Sequence, residues 1–294
     1  MATGEASINQ PHCKMKNSHF YKNPDQFIDV KNLGQVCRLG LATRGNTQLD
    51  CDAVETAIER GINYLNWCGH ADGMQQAIRK LGRRRHEVFV AIQFHARTAA
   101  EARRELKQVL DELNTDYIDV VTHFYVEHPQ EWQQILSPGG AMEVLEAART
   151  QGTVRSIGMT SHQRPLAAMA AESGRLDLLM IRYNAAHRGA ETDVFPVTQQ
   201  ENIPVVAFTC LRWGALLKST PADPHGFQPA QAFQWYRFVL CQPAVAVALM
   251  APNGNAELQE NLALLDDWQG LSDEDYAALR DHGKRVHQHA RGFP

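Results

Sequence analysis

Histidine is the side chain that most readily moves protons near neutral pH. This chain of 294 residues places seven of its 13 histidines in one kind of position. His70, His95, His123, His128, His162, His187 and His225 each follow a short run rich in Val, Ile and Phe. Other polar or reactive groups share these positions: Asn66, Cys68 and Asp72 after one run, Gln93 at the end of the next, then Thr160 and Ser161, Arg182 and Asn184, and Thr209, Cys210 and Arg212. A scaffold alone does not need this many titratable groups, so the pattern points to general acid–base chemistry in a polar pocket. Cys68, His70, His95 and His123 are also donors that zinc or another transition metal accepts. No H-x-x-x-H or C-x-x-C spacing supports a metal site, however, and a cluster of hydrogen-bonded polar groups is the expected state.

The elements that would carry these residues alternate through most of the chain. Strand-like runs fall at residues 37–43, 62–68, 87–94, 118–124, 154–161, 176–183, 204–211 and 245–251. They are short and nearly continuous in apolar residues, as strands buried on both faces should be. Amphipathic stretches lie between them at 52–60, 73–81, 98–114, 140–150, 165–172, 191–201, 229–240 and 256–268. The clearest opens with a Thr98/Glu101 capping box and lines Leu106, Val109, Leu110 and Leu113 along one side. Gly61, Gly152 and Gly174 stand where helices should stop.

Eight strand–helix cycles predict an α/β fold of the (β/α)8 TIM-barrel type, with active residues at the C-terminal ends of the strands. No G-x-G-x-x-G follows the first strand, which argues against a Rossmann domain. Residues 1–26 read as a loose polar arm, and 27–294 as one barrel domain. Within it, 27–36 form a hairpin that plugs the bottom, with Leu33-Gly34 as the turn, and 272–290 an additional C-terminal helix.

Composition removes several classes. Lys and Arg number 29 against 33 Asp and Glu, which gives no support for nucleic acid or an anionic membrane surface. No run approaches the length of a membrane span, and the N-terminus lacks the apolar segment of a secretion signal. Six scattered cysteines suit reduced thiols, so a cytoplasmic location is expected. The expected partner is a small-molecule substrate.

Several motifs occur in the order in which the aldo-keto reductases have them, across residues 27–288. RLGLAT at 38–43 resembles that family's opening strand, and ERGINY at 59–64 its junction into the second. DYIDVVTH at 116–123 is similar to the fourth-strand motif that ends in histidine, and GTVRSIGMTS at 152–161 to the fifth. Arg182-Tyr183-Asn184 and Ala207-Phe208-Thr209 stand where the sixth and seventh signatures lie. The resemblance implies carbonyl reduction with NADP or NAD. It implies that Thr160 and Ser161 meet the carboxamide, that Phe208 stacks on the nicotinamide, and that Glu260 and Asn261 contact the adenine.

The resemblance also implies a tetrad of Asp, Tyr, Lys and His. Here the corresponding residues are Asn66, Ala71 (by spacing), Gln93 and His123. An amide does not stabilise a phenolate and alanine has no proton to give, which argues against the standard mechanism. The expected catalytic set is therefore His123, with His70 as general acid and Asn66 and Gln93 as hydrogen-bond partners. Residues 251–261 carry no Lys or Arg to grip a 2′-phosphate, although backbone N–H groups at a helix start can hold an anion. The sequence thus favours an atypical NAD(P)-dependent oxidoreductase acting on a small carbonyl or a related C=N or C–OH group. The alternatives are a lyase, isomerase or hydrolase on the same barrel, metal-assisted or not, and a non-catalytic binding protein.

Overall fold

The computed structural model describes residues 25–43 and 48–289. A two-stranded antiparallel hairpin, β1 (Phe27–Val30) and β2 (Gly34–Cys37), precedes the main sheet. Eight strands follow: β3 (Leu39–Ala42), β4 (Tyr64–Trp67), β5 (Phe89–Phe94), β6 (Ile118–His123), β7 (Val154–Ser161), β8 (Leu178–Arg182), β9 (Val205–Phe208) and β10 (Val245–Met250). Each pairs in parallel with the next, and β10 pairs with β3, so the sheet closes into a barrel. The expected (β/α)8 class is correct. Most of the expected 1–26 arm lies outside the described residues.

Around the barrel run α1 (Cys51–Glu59), α2 (Gly73–Leu81), α3 (Ala99–Leu113), α4 (Pro129–Leu136), α5 (Ala141–Gln151), α6 (Arg164–Glu172), α7 (Ala190–Asp193), α8 (Phe195–Gln200), α9 (Ala232–Leu240), α10 (Asn255–Asp266) and α11 (Asp273–His289). Two differ from expectation. The single helix expected over 191–201 is broken at Val194, because Pro196 has no N–H to give the preceding turn. Helix α4 was not expected, yet its signals are present: Pro129 in the first turn, Glu131 accepting from the His128 N–H, and Trp132 and Ile135 buried three apart.

Two buried layers result. Val30 and Val36 of the hairpin join Tyr64, Phe89, Leu178 and Ala246 inside the barrel, so the hairpin closes its lower end as expected. The other strand face packs against the helices. Gly40 faces inward because a Cβ there would lie 2.9 Å from both Leu249 and Val247. The seam between β3 and β10 is held by buried Arg38, whose guanidinium donates to the carbonyls of Val245 (2.7 Å), Leu240 (3.2 Å) and Ala246 (3.3 Å). Lower on β6, fully buried Asp119 accepts from Arg85 at 2.7 Å and from the Val90 N–H at 2.9 Å, with Arg155 3.0 Å from its other oxygen. A buried carboxylate needs this degree of compensation.

Candidate active site

Side chains on a strand alternate between faces, so the inner layer shows which residues reach the mouth. Tyr64, Ala91, Val120, Met180 and Val206 point into the barrel. One step further along the same strands come Asn66, Gln93, Thr122, Arg182 and Phe208, and Thr160 takes the matching place on β7. The register sets Gln93 opposite Thr122 and Arg182 opposite Phe208, while Asn66 and Thr160 stand opposite Ala91 and Met180 of the layer below. The structure therefore brings Asn66, Gln93, Thr160 and Phe208 to one opening.

His123 is not among them. It pairs with Phe94 across the sheet and lies edge-on to Phe94 (6.2 Å between ring centroids) and to Trp132 of α4 (6.3 Å). Its ring is fully buried between sheet and helices, and neither nitrogen has a hydrogen-bond partner. Burial, reinforced by the Arg97 charge, holds its pKa down to about 3. The expectation that His123 works at the mouth is thus corrected. Val120, Thr122 and Phe124 alternate inward while Val121 and His123 alternate outward, so Phe124 occupies the mouth. His123 therefore stands apart from Cys68, His70 and His95, and among the described residues these four do not form a ligand cluster for one metal.

Around the mouth, Asn66 is buried, and its amide donates to the half-buried Cys68 sulfur at 3.6 Å. His70 is exposed on the turn after β4, held through its carbonyl by the Trp67 indole at 2.8 Å. Gln93, Cys68, His70 and His95 share a wide groove of about 910 Å³ that runs out toward α3.

On the opposite side, Thr160 is fully buried and its hydroxyl has no partner. Ser161 points the other way and caps its own loop, accepting from the Gln163 N–H at 3.0 Å. On α10, Glu260 is exposed and Asn261 buried, so consecutive residues face different directions. A smaller cavity, about 150 Å³, separates the turn after β9 from this helix and is lined by Asn253 and Glu257, one turn earlier.

The sequence reading missed Tyr125. It follows Phe124 with φ at +44°, a left-handed conformation that is costly for a bulky residue. Arg97 over-determines that conformation, donating to the carbonyls of Phe124 (2.8 Å) and Tyr125 (3.2 Å) while facing Glu131 at 3.3 Å. The Val126 N–H donates to the Thr160 carbonyl at 2.9 Å. The Tyr125 ring stacks on Phe124 (3.8 Å) and tilts over His162 (4.5 Å), which meets Phe208 edge-on (5.8 Å). An aromatic arc thus spans the mouth from β6 to β9. Glu127 orients His162 by accepting from its backbone N–H (2.9 Å) and lying 3.1 Å from Nδ1. Burial, with Cys68 and Glu127, raises the Tyr125 pKa, and the Arg182 charge pulls it back. The available signal was the period-two pattern of residues 118–124, which sends Phe124 inward and projects its neighbour over the rim.

Comparison with known proteins agrees with this architecture. The model of the aldo/keto reductase family matches residues 38–234. A D-threo-aldose 1-dehydrogenase from a Pseudomonas species is 28% identical over 121 residues, 40% of this chain and 36% of that protein. An NADH-specific methylglyoxal reductase of Escherichia coli (strain K12) is 25% identical over 122 residues, 41% of this chain and 36% of that one. The matched segment thus spans about a third of each curated relative. Among solved structures, an aldo/keto reductase from Klebsiella pneumoniae in complex with NADP and acetate superposes with a TM-score of 0.72 at 21% identity, over 89% of this chain and 96% of that one. The holo form of a Bacillus halodurans aldo-keto reductase gives 0.68 at 18%, over 90% and 96%. With two thirds of its length matched in sequence and its barrel closed in the same way, the chain belongs to the aldo/keto reductase family.

Proposed function

We propose that this protein binds a nicotinamide nucleotide across the strand ends and interconverts a small carbonyl, or a related C=N group, with its reduced form. The observation that carries this reading is that β9 and β7 bring Phe208 and Thr160 to the same mouth: an aromatic face, and a buried hydroxyl whose hydrogen-bonding capacity is unspent. A flat ring with an amide substituent fits that pair. When bound, the nicotinamide supplies or accepts hydride. Phe208 provides the platform and Thr160 the hydrogen bond that orients the amide. Asn66 and Gln93 position the substrate, and Tyr125 Oη holds the proton. The Arg182 charge favours the phenolate that forms when this proton leaves. His70, exposed on the groove side, is the other proton-handling group at the rim.

The nucleotide's far end meets a different environment. Glu257 occupies the first turn of α10 and accepts from the Asn253 backbone N–H at 2.8 Å and its amide at 3.2 Å. A carboxylate there opposes a 2′-phosphate, and no basic residue between Ala251 and Asn261 offsets it. NADH should therefore bind at least as tightly as NADPH. Fluorescence titration with both nucleotides tests the reading, and binding of neither at millimolar concentration overturns it. A second reading, nucleotide binding without turnover, draws on the amides Asn66 and Gln93 where the family carries charged groups. Nucleotide binding with no reduction of any small aldehyde or ketone would favour it.

A further inference from the structure

A cavity of about 510 Å³ opens at the outer rim of the mouth, between the ends of β7 and β8, the turn after β8 and the last turns of α11. Arg164, Arg182, His187, Arg188, Lys284 and His287 line it, and no carboxylate does so among the described residues. Three of the cations pair with acids that do not line the cavity: Arg164 with Asp193 (2.9 Å), Arg188 with Glu191 (2.6 Å) and Lys284 with Asp281 (3.2 Å). The charged side chains that line the cavity are therefore all of one sign.

The backbone is shaped for this arrangement. Gly189 lets the Arg164 guanidinium lie directly against the main chain, where a Cβ would collide with it. Gly283 lets α11 press onto the Ala185 carbonyl, where a Cβ would also collide, and so brings Lys284 and His287 over the cavity. His287 meets His187 edge-on, ring centroids 5.4 Å apart. The groups facing His187 come from three elements: Arg182 from β8, Arg212 from the turn after β9, and His287 from α11. Burial and these neighbours hold its pKa down to about 3, so it stays neutral. Burial, then Arg212 and Arg164, likewise depress Arg182, and Glu127 and Tyr125 offset part of that shift. Like charges converging on one half-buried space cost free energy unless an anion shares it.

We infer that this cavity binds the acidic group of the substrate, a carboxylate or phosphate, with Arg182 linking it to the mouth, which that residue also faces. The inference rests on the redox reading above and gives it a substrate class: small carbonyl compounds that carry an acid.

The test does not require turnover. Inorganic phosphate and succinate are titrated separately into isotopically labelled full-length protein, and the His187 imidazole is followed by NMR. The expected result is saturable binding of at least one anion, a rise in the His187 pKa, and retention of the anion when NADH is added. Arg182→Gln should weaken binding about tenfold or more, and Lys284→Glu, on the exposed side of α11, should weaken it without disturbing the barrel. No saturable binding, or binding unchanged in both variants, overturns the inference. Displacement by NADH assigns the cluster to the nucleotide's phosphates and overturns it too. If NADH and NADPH fail to bind while the anion still does, the redox reading falls and the anion site stands.

Discussion

The Arg97 guanidinium donates to the carbonyl of Tyr125 at 3.2 Å and so fixes a tyrosine whose φ is +44° over the barrel mouth. A strained residue persists where its surroundings over-determine it, and such residues cluster at working sites. Tyr125→Phe should lower kcat about 10²–10⁴-fold, the usual contribution of a positioned proton donor, and leave nucleotide affinity within about twofold. Arg97→Met should lower kcat in the same direction by loosening the turn, with no change in the pH profile. Steady-state kinetics beside nucleotide titration checks both, and a Tyr125→Phe enzyme with unaltered kcat would remove Tyr125 from the chemistry.

Buried away from the mouth, His123 is expected to affect stability rather than turnover. Its folded pKa of about 3 lies below the unfolded value near 6.5, so the unfolded chain binds the proton first. Stability should therefore be fully present above about pH 6.5 and fall as pH drops toward 3, at up to ~1.4 kcal/mol per pH unit from this residue. His123→Leu should flatten that slope, measured by urea unfolding between pH 7 and 5, and should spare activity.

Phe208 is the ring platform in the proposed site. Phe208→Ala should raise the nucleotide Kd about fivefold, corresponding to a lost stacking partner worth ~1 kcal/mol, and Phe208→Tyr should restore it. Equal affinity in all three proteins would place the nicotinamide elsewhere.

Glu257 sets the expected preference at the far end of the nucleotide. Glu257→Lys exchanges a repulsive charge for an attractive one, so NADPH affinity should rise by an order of magnitude at low salt while NADH changes little. The gain should shrink as ionic strength increases.

Arg38 closes the barrel seam through three carbonyls. Arg38→Met leaves those acceptors buried without a donor and should cost ~3 kcal/mol in chemical unfolding. Arg38→Lys should recover only part of it, because an ammonium on a shorter stem does not reproduce the planar fork.

The alternation of strands and helices, and hence the barrel, is written locally. The Thr98/Glu101 capping box forms as its spacing implies, and Gly152 ends α5 with φ at +82°. These features depend on neighbours a few residues apart, which a linear chain displays. Even the break between α7 and α8 and the start of α4 were written there, in Pro196 and Pro129. What only the tertiary structure decided is which side each strand-end residue serves. A shift of one position moves a side chain from one face of a sheet to the other, so DYIDVVTH carried a histidine to the right strand end and the wrong face. Likewise Arg164, Arg182 and Lys284 come from separate elements, far apart in sequence, and share one cavity only because the sheet closes and α11 folds back across its rim.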